Sequence, residues 1–378
     1  MTTNFAQAFF YTTIGRMSLR IQEHISLKEF TTMKIGGTAR YFAVVKRAEE
    51  LQEAVIFAKE KEVPMVVLGG GSNILITDGE LTVLVIKIEI KGMTFEEEMS
   101  SLLVTAGAGE SWDGLVSLAV TKGLWGIENL SGIPGTVGAA PIQNIGAYGT
   151  EVKDVIEWVE VFNTKTEKTE RLSGEACSFS YRDSVFKHAE GKAFIVIRVA
   201  FRLKKAGAPQ LEYKDLKERF KMSDVGIKNG DIPSQPSLSE IRNAVIEIRS
   251  GKFPDLKEFG TAGSFFKNPI IPEAQFNELK GKFPNLPGFE VPVTHLGLKA
   301  KSYKLKAIKV PLAWILEHLC GLKGFKKGNV SLFERQPIVL VQNGFATAEE
   351  IEVFANEIIA QVKAKTGIDV EWEVQKMM

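Results

Sequence analysis

The chain has 378 residues, 44% hydrophobic and 25% charged, with a formal net charge of +1. That profile describes a soluble globular protein with core enough for two or three domains, and the near-zero charge makes no electrostatic case for nucleic acid or an acidic membrane surface. Cys177 and Cys320 are the only cysteines, and His24, His188, His295 and His318 are scattered, so a disulfide framework is unneeded, a zinc site is not expected, and a reducing cytoplasm fits.

In chain order, the start through Phe9-Phe10-Tyr11 lacks basic residues ahead of its apolar part, so no secretory signal is expected. Met17 offers an alternative start, leaving residues 1–16 as a tail. Residues 48–60 place Leu51, Ala54, Val55 and Ala58 on one helical face, and Val63 to Leu68 then reads as a buried strand. That strand runs into Gly69-Gly70-Gly71-Ser72-Asn73. Leu81 to Ile90 is apolar but short and broken by Lys87 and Glu89, which predicts a strand rather than a membrane span. Ser111 caps a short helix carrying Leu115, Leu118 and Ala119, closed by Gly123. A second glycine turn, Gly132-Ile133-Pro134-Gly135-Thr136-Val137-Gly138, follows. Between Glu151 and Leu203, residues Val159, Val161, Ile195, Ile197 and Val199 alternate with polar ones, as in strands. Lys204 to Ser239, with Pro209, Pro233 and Pro236, reads as a long loop or domain junction. A helix is expected over Ser239–Arg249 with Ile241, Val245 and Ile248 inward. The last helix has a capping box of Thr347 and Glu350, a stripe of Ile351, Phe354, Ile358 and Val362, and a stop at Gly367. The tail alternates strictly as a strand, with Ile368, Val370, Trp372 and Val374 on one face and Asp369, Glu371 and Glu373 on the other.

Consecutive glycines adopt positive φ without Cβ strain, so their N–H groups can converge on one anion, most often a phosphate or pyrophosphate. The first turn is neither of the two common nucleotide motifs. Ile74 stands where a dinucleotide fingerprint needs its third glycine, and Ser72-Asn73 is not the Lys-Ser/Thr of a P-loop.

The segments Gly126 to Gly135 and Pro141-Ile142-Gln143-Asn144-Ile145-Gly146-Ala147-Tyr148-Gly149 resemble the UDP-N-acetylenolpyruvoylglucosamine reductase (UDP-N-acetylmuramate dehydrogenase) family. So do Tyr181-Arg182-Asp183-Ser184-Val185-Phe186-Lys187 and Ala262-Gly263-Ser264-Phe265-Phe266-Lys267-Asn268-Pro269, in order, from about Ile21 to Glu373. The resemblance implies an α+β fold. A two-lobed FAD-binding region of the vanillyl-alcohol-oxidase type spans 17–90 and 91–205, and residues 206–238 form a linker or substrate loop. A separate substrate domain spans 239–367, and a C-terminal strand, 368–378, carries a glutamate. It also implies FAD, expected to be non-covalent because neither glycine turn holds a histidine or cysteine to tether it, NADPH as hydride donor in the substrate's pocket, and a ping-pong cycle of bacterial cell-wall precursor synthesis. A cytoplasmic monomer without nucleic-acid or membrane partners is expected.

By the same resemblance, Gly69, Gly70, Gly71, Ser72 and Asn73 with Ile133, Pro134, Gly135 and Gly138 would cradle the FAD pyrophosphate. Arg182 would stabilise the enolate-like carboxylate formed when hydride reaches C3, and Glu373 would hydrogen-bond that carboxylate, which requires a proton on one partner. Ser264 would protonate C2, reasonable for so weak an acid because the C2 carbanion is a very strong base. Tyr181, Tyr213 on a loop closing over the UDP diphosphate, Lys252, Asn268 and Lys309 would contact substrate. The ordinary readings remain a turn or cap hydroxyl for Ser264, an Arg182–Asp183 surface pair, and a solvated edge for the three tail carboxylates. Lys299, Lys301, Lys304 and Lys306 are expected to form a solvated basic face.

Three features depart from the family pattern: Phe289 can stack on uridine but not donate to it, residues 290–308 look like an insertion, and the chain after Glu373 lacks the usual arginine. An oxidase of the same flavin fold would account for the glycine turns but not for Ser264-Phe265-Phe266-Lys267-Asn268. A binding module without turnover sits poorly with all three chemical residues.

Overall fold

A computed structural model describes residues 19–223, 235–291 and 306–377. Residues 1–16, Pro233, His295, and Lys299, Lys301 and Lys304 lie outside them. The first lobe holds β1 (Ile21–Ser26), β2 (Thr38–Val45), α1 (Glu50–Glu60), β3 (Met65–Leu68), β4 (Ile74–Ile76) and β5 (Glu80–Ile88). Its sheet runs β1-β2-β5-β3, with β2, β5 and β3 parallel and β1 antiparallel. Leu51, Ala54, Val55 and Ala58 of α1 are buried, as their spacing requires. β3 departs from the expected buried strand: only Leu68 is buried, while Met65, Val66 and Val67 look into a large cavity.

The second lobe comprises β6 (Met93–Glu97), β7 (Ser101–Gly107), α2 (Trp112–Thr121), the short strands β8 (Gly146–Ala147) and β9 (Thr150–Glu151), β10 (Ile156–Asn163), β11 (Lys168–Ser173) and β12 (Phe194–Lys204). The antiparallel sheet β11-β10-β12-β7-β6 buries Val159, Val161, Ile195, Ile197 and Val199 in a core shared with α1 and α2. Ser111 caps α2 through its hydroxyl, and Gly123 closes it at φ +72°.

The expected long loop contains a helix, α3 (Lys214–Ser223), followed by α4 (Leu238–Lys252). α3 is polar almost throughout, and among its described side chains Leu216 and Phe220 mark the inner face, packing on Ile241 and Val245 of α4. Leu216 and Phe220, one turn apart in a charged stretch, are too few to show a helical period. α4 starts earlier than expected because Ser237, not Ser239, forms the capping box with Glu240.

The remaining domain contains β13 (Ile270–Pro272), α5 (Glu273–Lys282), β14 (Phe289–Val291), β15 (Ala307–Lys309), α6 (Leu312–Trp314), which runs into a π-turn at Ile315–Leu319, β16 (Lys326–Lys327), β17 (Val330–Phe333), β18 (Gln336–Gln342), α7 (Ala348–Thr366) and β19 (Gln375–Met377). The ends of the expected insertion pair as β14 and β15. Lys306, of the expected basic face, pairs with Glu290 in solvent. α7 matches its sequence signals, including Gly367 at φ +71°.

The expected terminal strand differs. Ile368, Val370 and Val374 are buried, but among the described residues 368–374 joins no ladder apart from a single bridge between Trp372 and Phe266. Its backbone bonds go to separate segments: Lys267 N–H donates to Glu371 O, Glu373 N–H to Phe265 O, and Gln375 N–H to Asn73 O. Regular pairing begins only at β19, parallel to β4. No described helix is long and apolar enough to cross a membrane.

Candidate active site

The two glycine turns lie against each other on the wall of a cavity of about 2140 Å³, larger than the roughly 300–1,000 Å³ of a single small-molecule site. Close backbone approach explains the glycines. A Cβ on Gly70 would sit 2.6 Å from Gly135 Cα, and one on Gly71, at φ +65°, would sit 1.9 Å from Phe30 O. Ser72 Oγ donates to Pro134 O at 3.0 Å and joins the turns. Among the described residues, the N–H groups of residues 70–73 donate to no other backbone or side-chain group. A free row of donors over a surface that admits no side chain fits a pyrophosphate. The turns thus fit the pyrophosphate of a dinucleotide cofactor such as FAD.

Arg249 was missed from sequence, where it is only a last-turn basic residue of α4. Its Nε donates to Gly132 O at 3.1 Å. Asp113 of α2 accepts Gly132 N–H at 2.6 Å and two bonds from Arg242 of α4 at 2.7 and 2.8 Å. The second turn is thus fixed by two helices. The Arg242 bonds, against the opposing effect of burial, hold the Asp113 carboxyl below its usual range.

Arg182, Glu373 and Ser264 all line this cavity. Arg182 adopts φ +52°. Its Nε donates to Glu373 Oε1 at 2.9 Å and its Nη2 to Gly146 O at 2.6 Å. The two side chains are 18% and 11% exposed. Burial alone would weaken the guanidinium's charge, but Glu373 and Tyr181 outweigh it and raise its pKa. Glu373 N–H bonds Phe265 O at 2.9 Å, so the carboxylate-bearing segment lies against the residue following Ser264. Gly263 at φ +74° and the bridge between Ser264 and Val339 set that serine on the cavity wall. Asn73 Nδ2 donates to Glu373 O and to Gln143 Oε1, tying the first glycine turn to the same cluster.

The expected substrate residues surround this centre. Lys309 Nζ and Arg182 Cζ lie 5.2 and 5.4 Å from the Tyr181 ring centroid. Burial, then Arg182, pushes the Lys309 pKa down, and burial raises that of Tyr181. Phe289, cross-strand neighbour of Lys309, is exposed on the cavity wall. Lys252 pairs with Asp215 at 2.5 Å, Asn268 Oδ1 accepts Leu312 N–H at 2.9 Å, and Tyr213 meets Tyr148 edge-on at 5.3 Å. Trp314 and His318, stacked at 4.8 Å on the cavity wall, were not foreseen, because the π-turn that aligns them leaves no periodic signal.

Two α+β lobes that bring glycine turns together over one cavity, with a further domain supplying a hydroxyl and a carboxylate, define an FAD-dependent oxidoreductase of the vanillyl-alcohol-oxidase fold type. Residues 39–173 match the family model of an FAD binding domain, and residues 255–377 match that of the UDP-N-acetylenolpyruvoylglucosamine reductase C-terminal domain. The chain is 38% identical over 360 residues to the UDP-N-acetylenolpyruvoylglucosamine reductase of Ralstonia nicotianae, covering 93% of this chain and 98% of that one. It is 36% identical over 358 residues to that of Pseudomonas aeruginosa, covering 94% and 99%. The crystal structure of the Thermus caldophilus reductase shares the fold with TM-score 0.62 at 24% identity, over 95% of this chain and all of that one. The chain belongs to the UDP-N-acetylenolpyruvoylglucosamine reductase family, an FAD-dependent family of peptidoglycan precursor synthesis.

Proposed function

We propose that this chain reduces UDP-N-acetylglucosamine enolpyruvate to UDP-N-acetylmuramate with NADPH, as a cytoplasmic monomer needing neither nucleic acid nor membrane. The observation that carries the reading is the meeting of Arg182, Glu373 and Ser264, from three distant segments, on the wall of the cavity that the glycine turns enclose. Bound FAD supplies the hydride relay, from NADPH to C3 of the enolpyruvyl group.

The protein's own groups handle the charge and the proton. Hydride arrival at C3 moves an electron pair toward C2 and its carboxylate. Arg182, firmly charged, faces that developing charge, and its Nη1 and Nη2 groups each keep an N–H beyond their bonds to Asn144 O and Gly146 O. Glu373 hydrogen-bonds the carboxylate through one shared proton. The Ser264 O–H breaks, its proton forms the new C2–H bond, and water restores the hydroxyl. Tyr181, Tyr213, Lys252, Asn268, Phe289 and Lys309 hold the UDP-sugar, with cationic and aromatic groups suited to diphosphate and base.

The test is the absorbance of the purified protein before and after anaerobic NADPH, and again after the enolpyruvyl sugar. The expected sequence is yellow, bleached, yellow. A colourless protein rejects any flavoenzyme reading. Bleaching by NADPH without return of colour on adding the sugar points instead to another oxidoreductase of this fold.

A further inference from the structure

We propose that Lys187 is a positioning residue for the Arg182 guanidinium, acting through the Arg182 main chain. The inference rests on the role given to Arg182 above. With φ at +52°, Arg182 occupies left-handed backbone space that a residue with a side chain holds only when its surroundings impose it. Two bonds close the turn around it: Ser180 N–H to Asp183 O at 3.0 Å and Asp183 N–H to Ser180 O at 3.2 Å. Neither of them holds the carbonyl of Arg182 itself. Lys187 Nζ does, donating to Arg182 O at 3.0 Å.

That ammonium is unusually placed. It is half-buried, and among the described residues no carboxylate lies within ion-pair distance of it. The neighbouring carboxylates are engaged elsewhere: Asp183 with His188 at 2.9 Å, Glu371 with Lys267 at 3.0 Å, and Glu373 with Arg182. Burial, then the nearby Lys267 charge, lowers its pKa against the opposing pull of the more distant Asp183 and Glu373 carboxylates. Asp183 and Glu373 act on this cation only from beyond ion-pair distance, and its direct hydrogen bond is to the carbonyl of the peptide that aims Arg182. Without it, the 182–183 peptide is free to relax toward right-handed space. The guanidinium then leaves Glu373 Oε1 and Gly146 O.

The experiment uses the FAD-loaded protein and follows the two half-reactions by rapid mixing. Lys187→Met is expected to leave flavin reduction by NADPH within about twofold of wild type and to slow re-oxidation by the enolpyruvyl sugar roughly 10- to 100-fold, the range for one misplaced charge-stabilising donor. Lys187→Arg, which still reaches a carbonyl, restores most of that rate. Because the lysine acts through the arginine, Lys187→Met with Arg182→Met is no slower than Arg182→Met alone. A crystal structure of Lys187→Met, with or without flavin, is expected to show Arg182 out of the left-handed region. Equal slowing of both half-reactions, no slowing, additive losses, or an unchanged Arg182 φ would each overturn the proposal. If Lys187→Met fails to fold, Lys187→Gln, which keeps a donor on a shorter arm, is judged by the same criteria. Wild-type protein that NADPH reduces but the sugar cannot re-oxidise would instead defeat the functional reading itself.

Discussion

Glu371 and Glu373 stand two residues apart, on the one face that alternation reads as polar, yet their side chains are 53% and 11% exposed. Alternation cannot separate them, since both fall on the polar face. The difference comes from Phe265 and Asn73, which grip the main chain around Glu373 and turn its carboxylate toward Arg182. Family resemblance, not local pattern, singled out Glu373 from the sequence. Glu373→Gln is accordingly expected to slow reduction of the enolpyruvyl sugar by at least about tenfold while NADPH still bleaches the flavin, whereas Glu371→Gln stays near wild type because its partner Lys267 is a surface pair. Ser264 is subject to the same division. Removing its proton should cost roughly 10²–10⁴-fold in product formation, the usual weight of general acid catalysis, with flavin reduction preserved. Equal loss of both half-reactions in Ser264→Ala would reject the assigned role.

The first glycine turn was legible as an element because it ends a strand and breaks two familiar motifs, and the second because its glycines cluster inside an apolar framework. That they oppose each other was not, because the contact between Gly70 and Gly135 joins the two lobes. Gly70→Ala therefore has a sharp expectation. Its methyl group would meet Gly135 Cα at 2.6 Å, main chain against main chain, and the purified variant should lose bound FAD. Gly251→Ala, in open space within α4, should keep its flavin and gain up to about 1 kcal/mol of helix stability. The link from Asp113 to Gly132 and Arg242 adds a pH test. Asp113 has a lowered pKa in the folded protein, chiefly through its bonds to Arg242, so its contribution is present above the ordinary aspartate value and is lost as pH falls through the folded one. Between pH 5 and pH 3, wild type should lose more stability than Asp113→Asn in denaturant titrations. Parallel curves would remove Asp113 from the account. α3 escaped sequence reading for the opposite reason: its order derives from Leu216 and Phe220 meeting α4, plus ion pairs such as Lys252 with Asp215, not from its own periodicity.

At the scale of the whole molecule, the first lobe and the C-terminal domain are fastened at their backbones, and the active site lies along that join. β19 pairs with β4, Thr77 N–H bonds Met377 O, Thr32 and Thr261 exchange bonds, and Gln342 Nε2 donates to Met33 O at 2.7 Å. Met33, Ile35 and Leu75 of the first lobe are buried in the core of the C-terminal domain. No periodicity in one segment could announce pairings between residues so far apart in the chain, although the order of elements was readable. Asp78 belongs to this seam. It lies just after β4, and its Oδ2 accepts the N–H of Ala348 at 2.8 Å, giving α7 a second cap from the other domain beside Thr347. A carboxylate at a helix N-terminus satisfies orphan donors and favours the helix dipole. Asp78→Ala is expected to lose about 1 kcal/mol, and Thr347→Ala a similar amount from within the domain. Asp78 is not on the cavity wall, so FAD binding and both half-reactions should survive at low temperature. The measurement is thermal unfolding followed in parallel by far-ultraviolet circular dichroism and flavin release. An Asp78→Ala melt that overlays wild type in both signals would show that the inter-domain cap contributes nothing to holding the catalytic join together.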